Sequence, residues 1–221
     1  MVLLVLGSMV AVGALASGFW LIGVYNSAPS IASLRPISKG AVSKVYGADG
    51  SLIGVIHSDN IRQPVSSSRI PQDLKDATVA IEDRRFYSHG GIDPSAIIRA
   101  GWEDLTAGGK PVEGGSTITQ QLVRNLYIED PQDTLHRKII EAHLANDEED
   151  QHSKDWILTE YLNTASYGTN NGATAIGVEA AAETYYSKHA RDLTLPEAAM
   201  IAGLPQAPSQ YNPLLNPRAA L

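Results

Sequence analysis

Residues 114–125 read Gly114-Gly115-Ser116-Thr117-Ile118-Thr119-Gln120-Gln121-Leu122-Val123-Arg124-Asn125. Two glycines and two hydroxyl residues open a stretch in which Ile118, Leu122 and Leu126 recur at i, i+4 and i+8. That spacing predicts a helix over about 117–128 with one apolar stripe. The loop ahead of it would present N–H and O–H groups to an anion, as helix N-termini can. Taken alone, the block also reads as a glycine loop closed by a Ser/Thr cap.

Outward from this block the pattern stays helical. Candidate helices cover about 72–87, 94–107, 133–147, 154–164, 174–187 and 195–203. The last has the clearest boundaries: Thr194 and Glu197 form a capping box, Pro196 sits in the first turn, and Gly203 and Pro205 close it. Further upstream, Ala48-Asp49-Gly50-Ser51 separates two apolar, β-branched runs and predicts a hairpin with strands at about 42–47 and 52–57. Residues 26–40, rich in Ser, Ala and Pro, read as a linker, and the Pro- and Asn-rich tail from Pro205 to Pro217 as irregular chain.

The 221 residues carry 17 basic and 24 acidic side chains, a net charge of −7, and no cysteine. A chain of this length can bury a full core without a staple. The lack of cysteine excludes a disulfide scaffold, a zinc finger and a thiol nucleophile. The acidic balance argues against a nucleic-acid partner. No charged residue precedes Arg35, and Val2 to Tyr25 is almost wholly apolar. About 24 residues at 1.5 Å each span roughly 36 Å, enough to cross a bilayer with some tilt. Trp20 and Tyr25 stand towards the far end as interfacial aromatics. A cleaved signal peptide, ending near Ala14-Leu15-Ala16, and a buried core helix are the alternatives. The apolar run continues past Ala16 and favours a retained anchor. A short cytoplasmic head ahead of Met1 and further chain beyond Leu221 are expected.

Three more clusters could carry chemistry. Glu82-Asp83-Arg84-Arg85-Phe86-Tyr87-Ser88-His89-Gly90-Gly91 closes a helix; its plain interpretation is a solvated helix end. Arg137-Lys138-Ile139-Ile140-Glu141 puts Arg137 and Glu141 on one helix face, which could be a surface ion pair of little worth. Lys154 to Gly168 reads as an amphipathic helix with Ile157, Leu158, Tyr161 and Leu162 inward. The six histidines form no convincing ligand set; His136 and His143 share a helix face.

The order of these blocks is far more specific than any of them singly. Glu-Asp-x-x-Phe-x-x-His-x-Gly, Gly-Gly-Ser-Thr-Ile-Thr-Gln-Gln, Arg-Lys-x-x-Glu and Lys-x-x-Ile-Leu-x-x-Tyr-Leu-Asn together resemble the peptidoglycan glycosyltransferase family. This is the glycosyltransferase family 51 domain of class A penicillin-binding proteins and monofunctional transglycosylases. Leu193 to Pro213 resembles its final motif, and the match covers about residues 70–215. The resemblance implies a mainly α, lysozyme-like, two-lobed domain with a small N-terminal β-hairpin and an N-terminal transmembrane helix. Residues 1–30 would be the anchor and linker start, 31–68 the linker with the hairpin, and 69–221 the glycosyltransferase domain, truncated at its C-terminus.

The activity implied is polymerisation of membrane-borne lipid II, with the growing glycan chain as donor, inversion at the anomeric carbon and release of undecaprenyl pyrophosphate. Glu82 matches the catalytic base, and Glu141 is a second catalytic carboxylate with a less defined role. Asp83, Ser116, Thr117, Gln120, Gln121, Arg124, Asn125, Arg137 and Lys138 would bind substrate. The resemblance also implies a divalent cation, Mg²⁺ or Mn²⁺, no organic cofactor, and a catalytic domain on the extracytoplasmic side of a bacterial cell membrane; it covers proteins with and without a C-terminal transpeptidase domain, and none is present in these residues. A glycan-cleaving hydrolase and a non-catalytic membrane scaffold of the same family are the rivals.

The chain departs from the family pattern in three places. Arg124 stands where the family usually has Lys, a flat fork for a point charge. Thr159 replaces the usual Glu after Ile-Leu, with Glu160 in the neighbouring slot. Asn146 is followed by four consecutive acids, Asp147 to Asp150, where the family continues its helix with apolar residues among charged ones. Burying unpaired acids is costly, so this stretch is expected to be solvated and mobile, and the helix carrying Glu141 to lose its packed face near Asn146.

Overall fold

A computed structural model describes residues 2–37, 43–56, 59–106, 115–129 and 134–219. Gly114 of the quoted block lies outside the described residues. Eight α-helices are seen among the described residues: α1 (Val2–Ser27), α2 (Gln72–Glu82), α3 (Pro94–Thr106), α4 (Ile118–Tyr127), α5 (Leu135–Gln151), α6 (Lys154–Thr164), α7 (Val178–Tyr186) and α8 (Leu195–Gly203). Five strands accompany them: β1 (Ser43–Tyr46), β2 (Leu52–Ile56), β3 (Asn60–Arg62), β4 (Ser166–Asn170) and β5 (Ala173–Ile176). The architecture is therefore mainly helical, with two small sheets and an apolar N-terminal helix.

Apolar side chains cover the exposed faces of α1, including Met9, Leu15, Phe19 and Ile22. Its window Gly7–Ser27 is long and apolar enough to cross a membrane. The hairpin expected around Asp49-Gly50 forms as an antiparallel β1–β2 pair.

The core gathers around α6. Ile157, Leu158, Tyr161 and Leu162 point inward as the periodicity predicts, and Thr159, Asn163 and Thr164 are buried as well. These polar groups are satisfied at the backbone: Asn163 accepts from Val65 N and donates to Val65 O, both at 2.9 Å. Thr159 and Thr164 donate one turn back, to Asp155 O and Glu160 O. Leu74 of α2, Ile118 and Leu122 of α4, Val178 of α7 and Ile201 of α8 complete the cluster.

Three sequence expectations are corrected. The helix over 72–87 ends at Glu82, because Asp83 turns out at φ −158° and bonds elsewhere; a short 3-10 turn at Phe86–Ser88 follows. The helix over 174–187 starts only at Val178, because residues 173–176 are β5. It pairs antiparallel with β4 and parallel with β3. The Asn171-Gly172 turn, with φ of 49° and 81°, joins β4 to β5, a left-handed pair that favours these two residue types. Gly177, at φ 86°, then redirects the chain into α7.

The third correction concerns the acidic run. α5 continues unbroken to Gln151. Asp147 and Glu149 are partnered within the fold, by Ile31 N and by Thr119 and Lys154 respectively. Glu148 is only 1% exposed. Neither of its carboxylate oxygens has a hydrogen-bond partner among the described residues, and His152 Nε2 lies 3.7 Å away. Burial, with Glu160 adding repulsion, pushes the Glu148 carboxyl up to about 7.

A carboxyl that holds its proton more tightly folded than unfolded stabilises the fold below its ordinary pKa of 4.5. That contribution is lost as pH rises through about 7. Glu148→Leu is therefore expected to raise the thermal midpoint at pH near ~8 and flatten its decline between roughly pH 5 and 8. Calorimetry across that range checks it, and an unchanged slope would contradict the assignment.

Candidate active site

Glu82 is the last residue of α2, where the helix gives way to the turn at Asp83. Its Oε2 accepts from Gln121 Nε2 at 2.8 Å, and Gln121 Oε1 accepts from the buried Tyr161 hydroxyl at 3.2 Å. Glu82 Oε1 is buried and has no hydrogen-bond partner among the described residues. Burial raises the Glu82 pKa, while the Gln121 hydrogen bond and the Arg124 charge act against that rise. The result is a carboxylate with one oxygen held and one left over, the arrangement expected of a proton acceptor.

Asp83 organises the turn. Its Oδ1 lies 2.8 Å from His89 Nε2, and its Oδ2 accepts from Ile118 N at 3.2 Å, at the start of α4. Arg85 binds Asp93 through two nitrogens, and Asp93 in turn accepts from Ser95 N and Ala96 N at the start of α3. Arg85 holds the Asp93 carboxyl down at about 2.

The glycine-hydroxyl block enters α4 as a capping box, Thr117 with Gln120. The Thr117 hydroxyl donates to Gly91 O at 2.6 Å, which ties this block to the first cluster. Gly91 lies against α5 so closely that a Cβ there would fall 2.3 Å from the Ala145 carbonyl carbon. Thr117 and Gln120 are thus committed to the cap. Asn125 lies partly buried on α4.

Across from α4, Glu141 of α5 has no exposed surface. Its oxygens lie 3.3 Å from Arg137 Nε, 3.9 Å from Lys138 Nζ and 4.0 Å from Arg124 Nη1. Lys138 Nζ also donates to Ser116 Oγ at 2.8 Å. One buried carboxylate therefore gathers three cations from two helices, and Arg124 of this group also acts on Glu82. The acidic chain carries a local cluster of positive charge beside its candidate base.

Four residues were missed as site residues from sequence: Tyr161, Thr119, Glu149 and Lys154. Tyr161 supports Gln121 from α6; the Tyr-Leu-Asn block pointed to it, but helical periodicity read it as core. Glu149 accepts from both Thr119 Oγ1 at 2.6 Å and Lys154 Nζ at 2.7 Å, and Lys154 sits 4.3 Å above the Phe86 ring. Thr119, Lys154 and Glu149 join α4, α5 and α6 behind the site, a link no sequence spacing could give.

A second group of possible metal ligands, Glu179, Glu183 and His189, has one atom each within 4.8 Å of the others. These atoms are engaged among themselves and nearby: Glu179 accepts from Ala190 N and lies 2.7 Å from His189 Nδ1, and Glu183 accepts from Gln63. Arg69 and Arg191 line the adjoining cavity, which weakens its fit for a cation.

The transglycosylase family model matches residues 49–221. Penicillin-binding protein 1A of Aquifex aeolicus is 44% identical over 220 residues, covering 99% of this chain and 29% of that protein. Penicillin-binding protein 1F of Bacillus subtilis is 42% identical over 177 residues, covering 80% of this chain and 24% of that protein. Penicillin-binding protein 1A of Neisseria flavescens is 42% identical over 196 residues, covering 89% and 24%. The chain thus spans less than a third of the relatives it matches. A crystal structure of penicillin-binding protein 1A from Haemophilus influenzae aligns with a TM-score of 0.38 and 25% identity, over 84% of this chain and 17% of that one.

Gly91→Ala is expected to destabilise the domain by about 1–3 kcal/mol, the usual range for forcing an atom into a filled contact. Urea unfolding measures it. Stability equal to the parent would mean that the first cluster does not rest on α5.

Proposed function

This chain belongs to the transglycosylase family, and from that premise we propose that it is a peptidoglycan glycosyltransferase of bacterial cell wall synthesis that polymerises lipid II. The observation that carries the proposal is Glu82, a buried carboxylate with one unbonded oxygen, beside the cations that Glu141 gathers.

In this reading Glu82 Oε1 takes the proton from the 4-hydroxyl of the acceptor, lipid II. The freed oxygen forms its bond to the anomeric carbon of the donor, the growing glycan chain. The bond from that carbon to the pyrophosphate oxygen breaks, the configuration inverts, and undecaprenyl pyrophosphate leaves with the electron pair. Arg124, Arg137 and Lys138 stabilise the charge that develops on the leaving group. Ser116, held by Lys138, and Asn125 line the same side. Glu141 orients the cations and touches no reacting atom, so its part is positioning. Asp83, Thr117, Gln120 and Gln121 shape the site.

A divalent cation would fit here only with its phosphate. Both Asp83 oxygens are engaged, so at this place Glu82 Oε1 is the unbonded carboxylate oxygen among the described residues. Mg²⁺ is commonly held by one or two carboxylates plus substrate phosphates, and its chemistry would be neutralisation of the pyrophosphate. The proposal also takes α1 as a single-pass anchor with the domain on the extracytoplasmic side. That tether holds the site beside a substrate whose tail stays in the bilayer.

Incubation with fluorescent lipid II tests the reading; glycan polymer is the expected product, and either no polymer or cutting of finished glycan would refute it. Glu82→Gln keeps the shape and loses the proton acceptor, so turnover should fall by about 10²–10⁴-fold with the fold unchanged. Near-normal synthesis would remove Glu82 from this role.

The pH profile offers a separate check. Activity needs ionised Glu82, so kcat/KM should fall as pH drops through its pKa, which burial sets above the ordinary 4.5. Gln121→Leu removes the hydrogen bond that favours the charged form, and the acid limb should move to higher pH. A limb that stays in place would show that another group controls it.

A further inference from the structure

Asn146 and Asp147 of α5 lie against the C-terminal end of the apolar helix α1 and the residues that follow it. Asn146 Nδ2 donates to the Tyr25 hydroxyl at 3.1 Å, and the Tyr25 ring meets the His143 ring edge-on at 4.7 Å. Ile31 N donates to Asp147 Oδ2 at 3.3 Å, and His143 Nε2 lies 3.7 Å from the same oxygen. His143, Asn146 and Asp147 are i, i+3 and i+4 neighbours on one face. Beneath them Ile31 is buried with Val123, Leu144 and Ala145, and Ile37 N donates to Leu126 O at 2.7 Å.

We propose that His143, Asn146 and Asp147 form a polar clasp that fixes the exit of the membrane helix on α5 and so sets the position of the catalytic cleft relative to the bilayer. Two features carry it. Tyr25 belongs to α1 itself, which is helical through Ser27, so no loop separates the spanning helix from the clasp. At ~100° per residue, His143 stands about 200° around α5 from Glu141. The same rigid helix therefore presents the clasp to α1 on one side and the cation-gathering carboxylate to the site on the other. The apolar contact of Ile31 would hold the segment without fixing its direction, whereas hydrogen bonds to Tyr25 and to the Ile31 amide fix an angle.

The positioning role rests on the glycosyltransferase reading, but the clasp does not, and the test separates them. The full chain is placed in nanodiscs, and amide hydrogen exchange at Ile31 is followed. Protection is expected in the parent and in Asp147→Asn, which keeps an acceptor oxygen, and is expected to be lost in Asp147→Ala. An unprotected Ile31 in the parent overturns the clasp, whatever the activity.

Polymerisation is then measured for Asn146→Ala with Tyr25→Phe, using lipid II in the same bilayer and a short-tailed, water-dispersed lipid II analogue. KM for the bilayer substrate should rise about fivefold, the scale of one hydrogen bond. Its kcat and both constants for the dispersed analogue should be unchanged. Equal losses with both substrates, or a KM unchanged in the bilayer, overturn the positioning role. A parent that polymerises neither substrate refutes the glycosyltransferase reading, while Ile31 protection would still support the clasp.

Discussion

The approach of Gly91 to the α5 backbone holds the site together. With a side chain there, the first cluster could not lie against Ala145 and Asn146, and the Thr117 hydroxyl could not reach Gly91 O. Asp83 adds a second tie by accepting from Ile118 N. Through these contacts the end of α2, the start of α4 and the middle of α5 are fixed to one another, and these are the elements that carry Glu82, Gln121 and Glu141. A carboxylate and a cation cluster on separate elements keep a useful geometry only if their backbones cannot drift apart.

Charge follows the same division of labour. Glu141 is fully buried and could not remain so as an isolated anion; Arg124, Arg137 and Lys138 compensate it, and it fixes their heads in return. Glu82 differs in having one oxygen held by Gln121 and the other unbonded, in a place where burial favours the protonated form. Two buried carboxylates that share Arg124 are thereby placed in different electrostatic surroundings.

The acidic run shows how far composition can mislead. Four consecutive acids suggest solvent, yet each side of a helix turns to a different environment every residue. Asp147 faces the linker after α1, Glu149 faces Thr119 and Lys154, and Glu148 faces the interior. The first two are partnered, and the third bears the electrostatic strain seen in its raised pKa.

Much of this protein was legible in the chain itself. Apolar spacing placed α4, α6 and α8 within a residue or so, since an amphipathic helix writes its own period. The apolar run before Arg35 marked α1, and the ordered motifs marked Glu82, Gln121, Arg124, Arg137, Lys138 and Glu141. The tertiary structure decided what depends on distant partners. Residues 173–176 became a strand because β3 and β4 lay on either side, and ladder bonds outweigh a weak local preference for helix. Thr117 was tied to Gly91 O, Tyr161 was joined to Gln121, Asn146 was joined to Tyr25 of α1, and Asp147 to the Ile31 amide beyond it. Sequence encodes periodicity and residue chemistry locally. Which residue completes another's hydrogen bond is settled only when chain segments more than a hundred residues apart, such as Tyr25 and Asn146, are packed together.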